Sequence, residues 1–308
     1  MVYGLDAVRV GLIGAGRWGS NIARVLKELE EEGLVEFKII VDIELEKARR
    51  LAEKYSVPKY SNNINDIRGL DAVAVVVSIP YLAVTAKRAA SMDINLFIEK
   101  PVASNLRELE ELRREVEARN LVAVPGFIMR FNPVVEYIKR EAERLGVNVL
   151  ELRRLSRRPP HARGNNILLD LAVHDIDIAN YVLADKMEPT LKAWMHMRVS
   201  SDKVVKIVLD YHGTPAMIHV DGISPAKVRE IDLITPEYFI RGNTDNNTIT
   251  YLKTGEPSRT IKVGGEEPLK RELREWVKKV RGEKSSSPTL EDAWRVLRIL
   301  DPILNELG

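Results

Sequence analysis

Val8-Arg9-Val10-Gly11-Leu12-Ile13-Gly14-Ala15-Gly16-Arg17-Trp18-Gly19 decides how the first third of this chain folds. The aliphatic run 8–13 reads as a strand, and residues 20–29 follow at helical spacing. Between them lies a G-x-G-x-x-G turn. Its first glycine permits the tight turn, its second lets backbone approach a diphosphate, and its third lets helix and strand pack closely. The diphosphate then rests on the helix N-terminus. Gly14, Gly16, Arg17, Trp18 and Gly19 are therefore the candidate dinucleotide loop. Asp42 lies 23 positions after Gly19, at the end of a second strand-like run, 36–41. There a carboxylate accepts hydrogen bonds from an adenosine ribose and repels a ribose phosphate, so NAD is expected in preference to NADP.

Working outward, strand-like and helical patterns alternate. Helices are expected at 45–55, 84–92 and 106–118, with strands at 72–77, 95–98 and 121–124. The run 72–77 is apolar throughout, as in a strand buried on both faces. This rhythm predicts a doubly wound parallel sheet with helices on both faces. After Pro125-Gly126 the pattern changes. A helix (134–145), a strand (148–155) and a helix (171–183) lead into short strands, broken by Gly, Pro, Asn and Asp, from 192 to about 263. Two helices follow, at 269–281 and 290–307. The expected architecture is α/β: a nucleotide-binding domain over 1–124, then an α+β domain over 125–308 with an open, mostly antiparallel sheet.

The chain has 308 residues, 45% of them apolar and 30% charged, enough for two cored domains and too apolar for a disordered one. Its net charge of +2 argues against a nucleic-acid binder. No apolar stretch is long enough to span a bilayer, and the first ten residues lack a signal-peptide layout, so a soluble cytoplasmic protein is expected. There is no cysteine, which excludes disulfides, cysteine–zinc sites and thiol nucleophiles. The absence of glutamine, beside abundant Glu, Lys and Arg, fits a heat-adapted protein.

Several residues carry candidate chemistry. Ser78 and Pro80 follow the strand 72–77, at the sheet edge where ligands bind in such folds. Glu99-Lys100-Pro101 follows the strand 95–98 in the same way. A lysine there can bond a substrate hydroxyl and stabilise the charge left as its proton departs, though a strand-end lysine is also commonly just solvated. Asp170 and His174 are four residues apart and share a helix face. An imidazole titrates near neutrality and can serve as a general base; Asp170 can orient it, with Asp175 and Asp177 as rival partners. Read alone, such a histidine is as readily structural. One histidine among aspartates suits zinc poorly, so no metal is expected. Arg153, Arg154, Arg157, Arg158 and Arg163 form a basic run that is either a solvated face or a diphosphate site.

Taken in order, these motifs resemble the Gfo/Idh/MocA family of nicotinamide-dependent sugar oxidoreductases. The resemblance runs from G-x-G-x-x-G and Asp42 through Ser78-Ile79-Pro80 and Glu99-Lys100-Pro101. It continues in Gly126-Phe127, Arg130-Phe131-Asn132-Pro133 and Asp170-x-x-x-His174-Asp175. Within the family, Ser224–Glu230 and Glu267-Pro268-Leu269-Lys270 are similar to the UDP-N-acetylglucosamine 3-dehydrogenases. One departure is Val84, where the family carries a histidine; another is the diverged stretch 237–246. The resemblance implies a Rossmann domain and places Ser78, Pro80, Glu99 and Arg130 beside NAD. It further implies His174 as base for a sugar C3 hydroxyl, Lys100 and Asp170 polarising the reacting hydroxyls, and Arg157, Arg158 and Arg163 on a nucleotide-sugar substrate. A homodimer or homotetramer through the C-terminal sheet is expected. An inositol or free-sugar dehydrogenase, and a non-catalytic NAD- and sugar-binding regulator, are the alternatives.

Overall fold

A computed structural model describes residues 7–159, 166–183, 188–199 and 202–307. The chain forms two compact units. One holds residues up to Phe127 together with Leu269–Trp294; the other holds Ile128–Pro268 and residues from Arg295 on. Residues 269–294 thus return to the first unit.

In the first unit six parallel strands are β1 (Val8–Ile13), β2 (Val35–Val41), β3 (Lys59–Ser61), β4 (Ala72–Val75), β5 (Asn95–Glu99) and β6 (Ala123–Gly126). Their order is β3-β2-β1-β4-β5-β6. The order reverses between β1 and β4, so the turns leaving these two strands flank the crevice where doubly wound sheets bind ligands. The central strands are apolar on both faces because helices cover both. Val10, Leu12, Ala72, Val73, Leu96 and Phe97 are fully buried. The helices are α1 (Arg17–Glu31), α2 (Leu45–Tyr55), α3 (Ile79–Ala90) and α4 (Leu106–Ala118). On α1, Ile22, Val25, Leu26 and Leu29 recur at helical spacing and are all buried. Asn105 caps α4 by accepting from the Glu108 amide at 3.0 Å.

The second unit begins with α5 (Pro133–Leu145), β7 (Val149–Leu155) and α6 (Val173–Leu183), the last entered through a π-helical segment, Leu168–Ala172. Then come β8 (Thr190–Val199), β9 (Asp202–Tyr211), β10 (Thr214–Asp221), β11 (Val228–Ile234), β12 (Phe239–Asn243), β13 (Thr248–Leu252) and β14 (Arg259–Lys262). They form one sheet ordered β14-β13-β12-β11-β7-β10-β9-β8. Every neighbouring pair is antiparallel except β7 with β10. Alternation along β7 buries Leu150, Leu152 and Arg154, while the residues between them are half-exposed. On that half-exposed face Arg153 and Arg241 flank Asp232 in ion pairs of 2.6 and 2.8 Å. Met195, Met197 and Met217 are exposed. Two further helices are α7 (Pro268–Val280) and α8 (Leu290–Leu307). No helix among the described residues is long and apolar enough to cross a membrane.

Candidate active site

The glycine loop is built by close approach. Gly14 has φ +108°, and a Cβ there would lie 2.1 Å from the Val76 carbonyl oxygen. A Cβ on Gly19 would lie 2.0 Å from the Gly14 carbonyl oxygen. Gly16 differs: a Cβ there meets nothing within 4 Å, so it lines open space. It also precedes α1 without a side-chain cap, leaving the first-turn amides to an anion. Asp42 ties this loop to β2, accepting from the Ala15 amide at 2.6 Å and the Glu44 amide at 2.9 Å. A closed turn, an open Gly16 and a strand-end carboxylate fit an NAD diphosphate and ribose. Arg17 and Trp18 are exposed on the first turn of α1, and Ser78 and Pro80 on the turn that opens α3 after β4.

Glu99 ends β5 and is 8% exposed. The Trp18 indole N–H donates to one of its oxygens and the Lys100 amide donates to the other at 3.1 Å. Room for that carboxylate comes from Gly126, its register partner on β6, where a Cβ would stand 3.2 Å from both Cα and Cδ of Glu99. Burial pushes the Glu99 carboxyl up to about 7, against the opposing pull of the Trp18 bond and the Lys100 charge. Lys100 itself is half-buried and its bond to Pro101 is cis. The raised value has a consequence for stability. Below its ordinary value of 4.5, Glu99 is protonated in folded and unfolded chains alike. As pH climbs to about 7, only the unfolded chain ionises it readily, so its contribution to stability is lost across that window. Melting temperatures of wild type and Glu99→Gln, measured from pH 4.5 to 8, are expected to diverge in the variant's favour as pH rises. Parallel profiles would refute a neutral buried carboxyl.

In the second unit the aspartates around His174 are already claimed. Arg154 holds Asp175 with two bonds, at 2.7 and 2.9 Å. Arg130 holds Asp177, at 2.6 and 3.0 Å. Arg130, expected beside NAD, carries its guanidinium onto α6, and its side chain is 10% exposed. Such bidentate pairs fix the helix bearing His174, which is half-buried. Asp170 lies in the π-helical segment and accepts from Arg158 at 2.9 Å. Arg158 also reaches Asp202 at 3.4 Å, and its side chain is 4% exposed. Arg158, expected on a substrate phosphate, thus lies buried between two carboxylates and anchors Asp170. Arg157 is exposed. Arg163 lies outside the described residues. The structure thus joins Asp42 to the glycine loop, Trp18 to Glu99 and Lys100, and Asp170 to Arg158. Sequence reasoning missed the Trp18–Glu99 bond, the space left by Gly126 and the clamps on α6. None has a local signal, since each partner is distant in sequence.

With the glycine loop and Asp42 in place, residues 8–127 match the model of the Gfo/Idh/MocA oxidoreductases, described as an NAD-binding Rossmann fold. That match covers residues 8–127 of the 308 in this chain. Over 59% of its length this chain is 26% identical to the myo-inositol 2-dehydrogenase of Thermotoga maritima, covering 56% of that protein. It is 25% identical to the UDP-N-acetylglucosamine 3-dehydrogenase of Acidithiobacillus ferrooxidans, over 56% of this chain and 53% of that one. The alignments thus span about half the length of these two relatives. The solved structure of the Acidithiobacillus enzyme superposes with a TM-score of 0.84 at 20% identity, covering 96% of this chain and 95% of that one. Levoglucosan dehydrogenase in complex with NADH gives 0.86 at 19% identity, over 97% and 96%. At such identities the structures attest a shared fold.

Proposed function

We propose that this protein catalyses NAD-dependent oxidation of a sugar secondary hydroxyl, with C3 of UDP-N-acetylglucosamine or a related nucleotide sugar as substrate. The observation that carries it is one chain combining an NAD-type loop, a lysine leaving β5, and a histidine on a helix locked by two bidentate ion pairs. When bound, NAD supplies the two-electron acceptor that takes the hydride. An imidazole nitrogen of His174 takes the hydroxyl proton. The Lys100 ammonium stabilises the negative charge growing on that oxygen. Asp170, held by Arg158, orients a neighbouring hydroxyl. The choice of a nucleotide sugar rests on the resemblance of Ser224–Glu230 and on the Acidithiobacillus relative. The chain would act in the cytoplasm as a homodimer or homotetramer through the sheet face that exposes Met195, Met197 and Met217.

The test is NAD reduction by the purified protein with UDP-N-acetylglucosamine, inositol or glucose, each with hydroxylamine to trap the ketone. Reduction with the UDP-sugar alone is the expected result. Reduction with inositol or glucose instead would replace the substrate and keep the chemistry. Tight NAD binding with no reduction would make the protein a sensor.

A further inference from the structure

The buried and half-buried arginines of the second unit's sheet follow a pattern that one of them breaks. Arg153, Arg154 and Arg241 each bond a carboxylate. Arg229 on β11 does not. Its Nη1 donates to the Leu155 and Val228 carbonyls, both at 2.8 Å, and its Nη2 to the Ser156 hydroxyl at 3.1 Å. All three acceptors are neutral, and they leave two of the five guanidinium N–H donors without an acceptor among the described residues.

Its surroundings make this costly. Arg229 is the register partner of Arg154 on β7, so the two side chains leave the same face of the sheet. Like charges directly opposite each other on a sheet repel. Burial and the Arg154 charge together lower the Arg229 pKa. The carboxylates near enough to help are engaged elsewhere. Asp175 holds Arg154. Asp221 accepts from the Ile223 and Ser224 amides and the Ser224 hydroxyl. Asp245 pairs with Lys227 at 2.8 Å. A partly buried cation thus has no counterion among the described residues, its plane fixed by three bonds. It stands opposite the arginine that holds Asp175, the chain neighbour of His174.

We infer that Arg229 is an anion-binding residue of the substrate site, receiving a phosphate or carboxylate group carried by the sugar. The fixed guanidinium offers its remaining donors to two oxygens of one group, which suits either anion and suits a neutral hydroxyl less well. An arriving anion supplies the missing counterion and offsets the repulsion from Arg154. This deepens the nucleotide-sugar reading and rests on it for the identity of the substrate. It also moves anion recognition from Arg158, which Asp170 and Asp202 occupy, to the Ser224–Glu230 segment.

The experiment is calorimetric titration of the NAD-loaded protein with UDP, glucuronate and N-acetylglucosamine, for wild type, Arg229→Met and Arg229→Lys. Wild type is expected to bind UDP or glucuronate more tightly than the neutral sugar; which of the two it prefers identifies phosphate or carboxylate as the partner. Arg229→Met should weaken that anion about 10- to 100-fold, with Arg229→Lys between the two. Binding of N-acetylglucosamine and NAD, and the melting temperature, should stay near wild type, because the substitution removes a repelled cation. Wild type that prefers neither anion would overturn the inference. So would variants that keep full anion affinity, or that lose anion, neutral sugar and NAD together as the fold weakens. Anion binding at Arg229 with no NAD reduction on any sugar would sink the dehydrogenase reading and leave the anion site standing. NAD reduction on inositol without anion binding would do the reverse.

Discussion

Turnover by the His174→Ala variant is expected to fall at least roughly 100-fold, with NAD affinity unchanged. The residue sits on α6, which other side chains anchor. Arg154 and Arg130 grip Asp175 and Asp177 on the same helix through paired bonds, and both aspartates are buried. Ile176, Ile178 and Ala179 add an apolar face that the substitution leaves intact. The variant should therefore fold, and a loss of rate will report on proton transfer. The NAD loop belongs to the other compact unit, so cofactor affinity offers an internal control. The comparison needs trapped NAD reduction for rate and quenching of tryptophan fluorescence by NADH for binding. An alanine variant with wild-type turnover would remove His174 from the chemistry. A variant that loses rate and cofactor together would point to a structural role.

The second large effect is expected in the glycine loop, where three neighbouring substitutions should behave differently. Gly14→Ala places a side chain at φ +108° and a Cβ within 2.1 Å of a backbone oxygen. Neither can be relieved by turning a side chain, and the loss of stability should exceed about 3 kcal/mol. Gly19→Ala drives its Cβ to within 2.0 Å of the Gly14 carbonyl, prising α1 away from the turn. Gly16→Ala meets no protein atom within 4 Å. That variant should melt like wild type and yet bind NAD at least about 10-fold more weakly, because the new methyl occupies the path of the diphosphate. Thermal melts and NADH titrations on the three variants separate these outcomes. Normal NAD affinity in Gly16→Ala would mean that the diphosphate does not approach this backbone.

The loop and Asp42 are legible in the sequence because their geometry is local: the glycines, the strand before and the helix after lie within about thirty residues. The same holds for helices with long, clean periodicity, such as Leu45–Tyr55 and Leu106–Ala118. Short elements leave no such trace. Strand β3, Lys59–Ser61, is three mostly exposed residues recruited by pairing with β2. Helix α3 begins at Ile79, ahead of the expected 84, because Pro80 opens a first turn in which its missing N–H is no loss. Before α6, the π-helical segment Leu168–Ala172 carries Asp170 on a wider turn than α-helical spacing assumes. The basic run shows the limit most clearly. Along the sequence its arginines look like one patch. In the fold, strand alternation sends Arg153 and Arg154 to opposite faces, and Arg158 turns back to Asp170. Arg229, far down the chain, is left without a counterion among the described residues. Long-range carboxylate partners decide which cation is available, and no local pattern encodes them.

One consequence concerns manufacture. Helix α7 belongs to the compact unit that the first 127 residues begin, and its Trp276 is fully buried with its ring 5.7 Å from Phe97. On α7, Lys270 and Arg274 also reach Glu32 of α1. Domains usually fold in the order in which the ribosome releases them. Here the nucleotide-binding unit is begun first but stays unfinished while every strand of the second sheet is translated. During that interval the seam around Phe97 lacks its indole partner and is exposed to other chains. A nascent chain stalled within the antiparallel sheet, or one cut after Phe127, would be sticky at that seam and a natural client for chaperones.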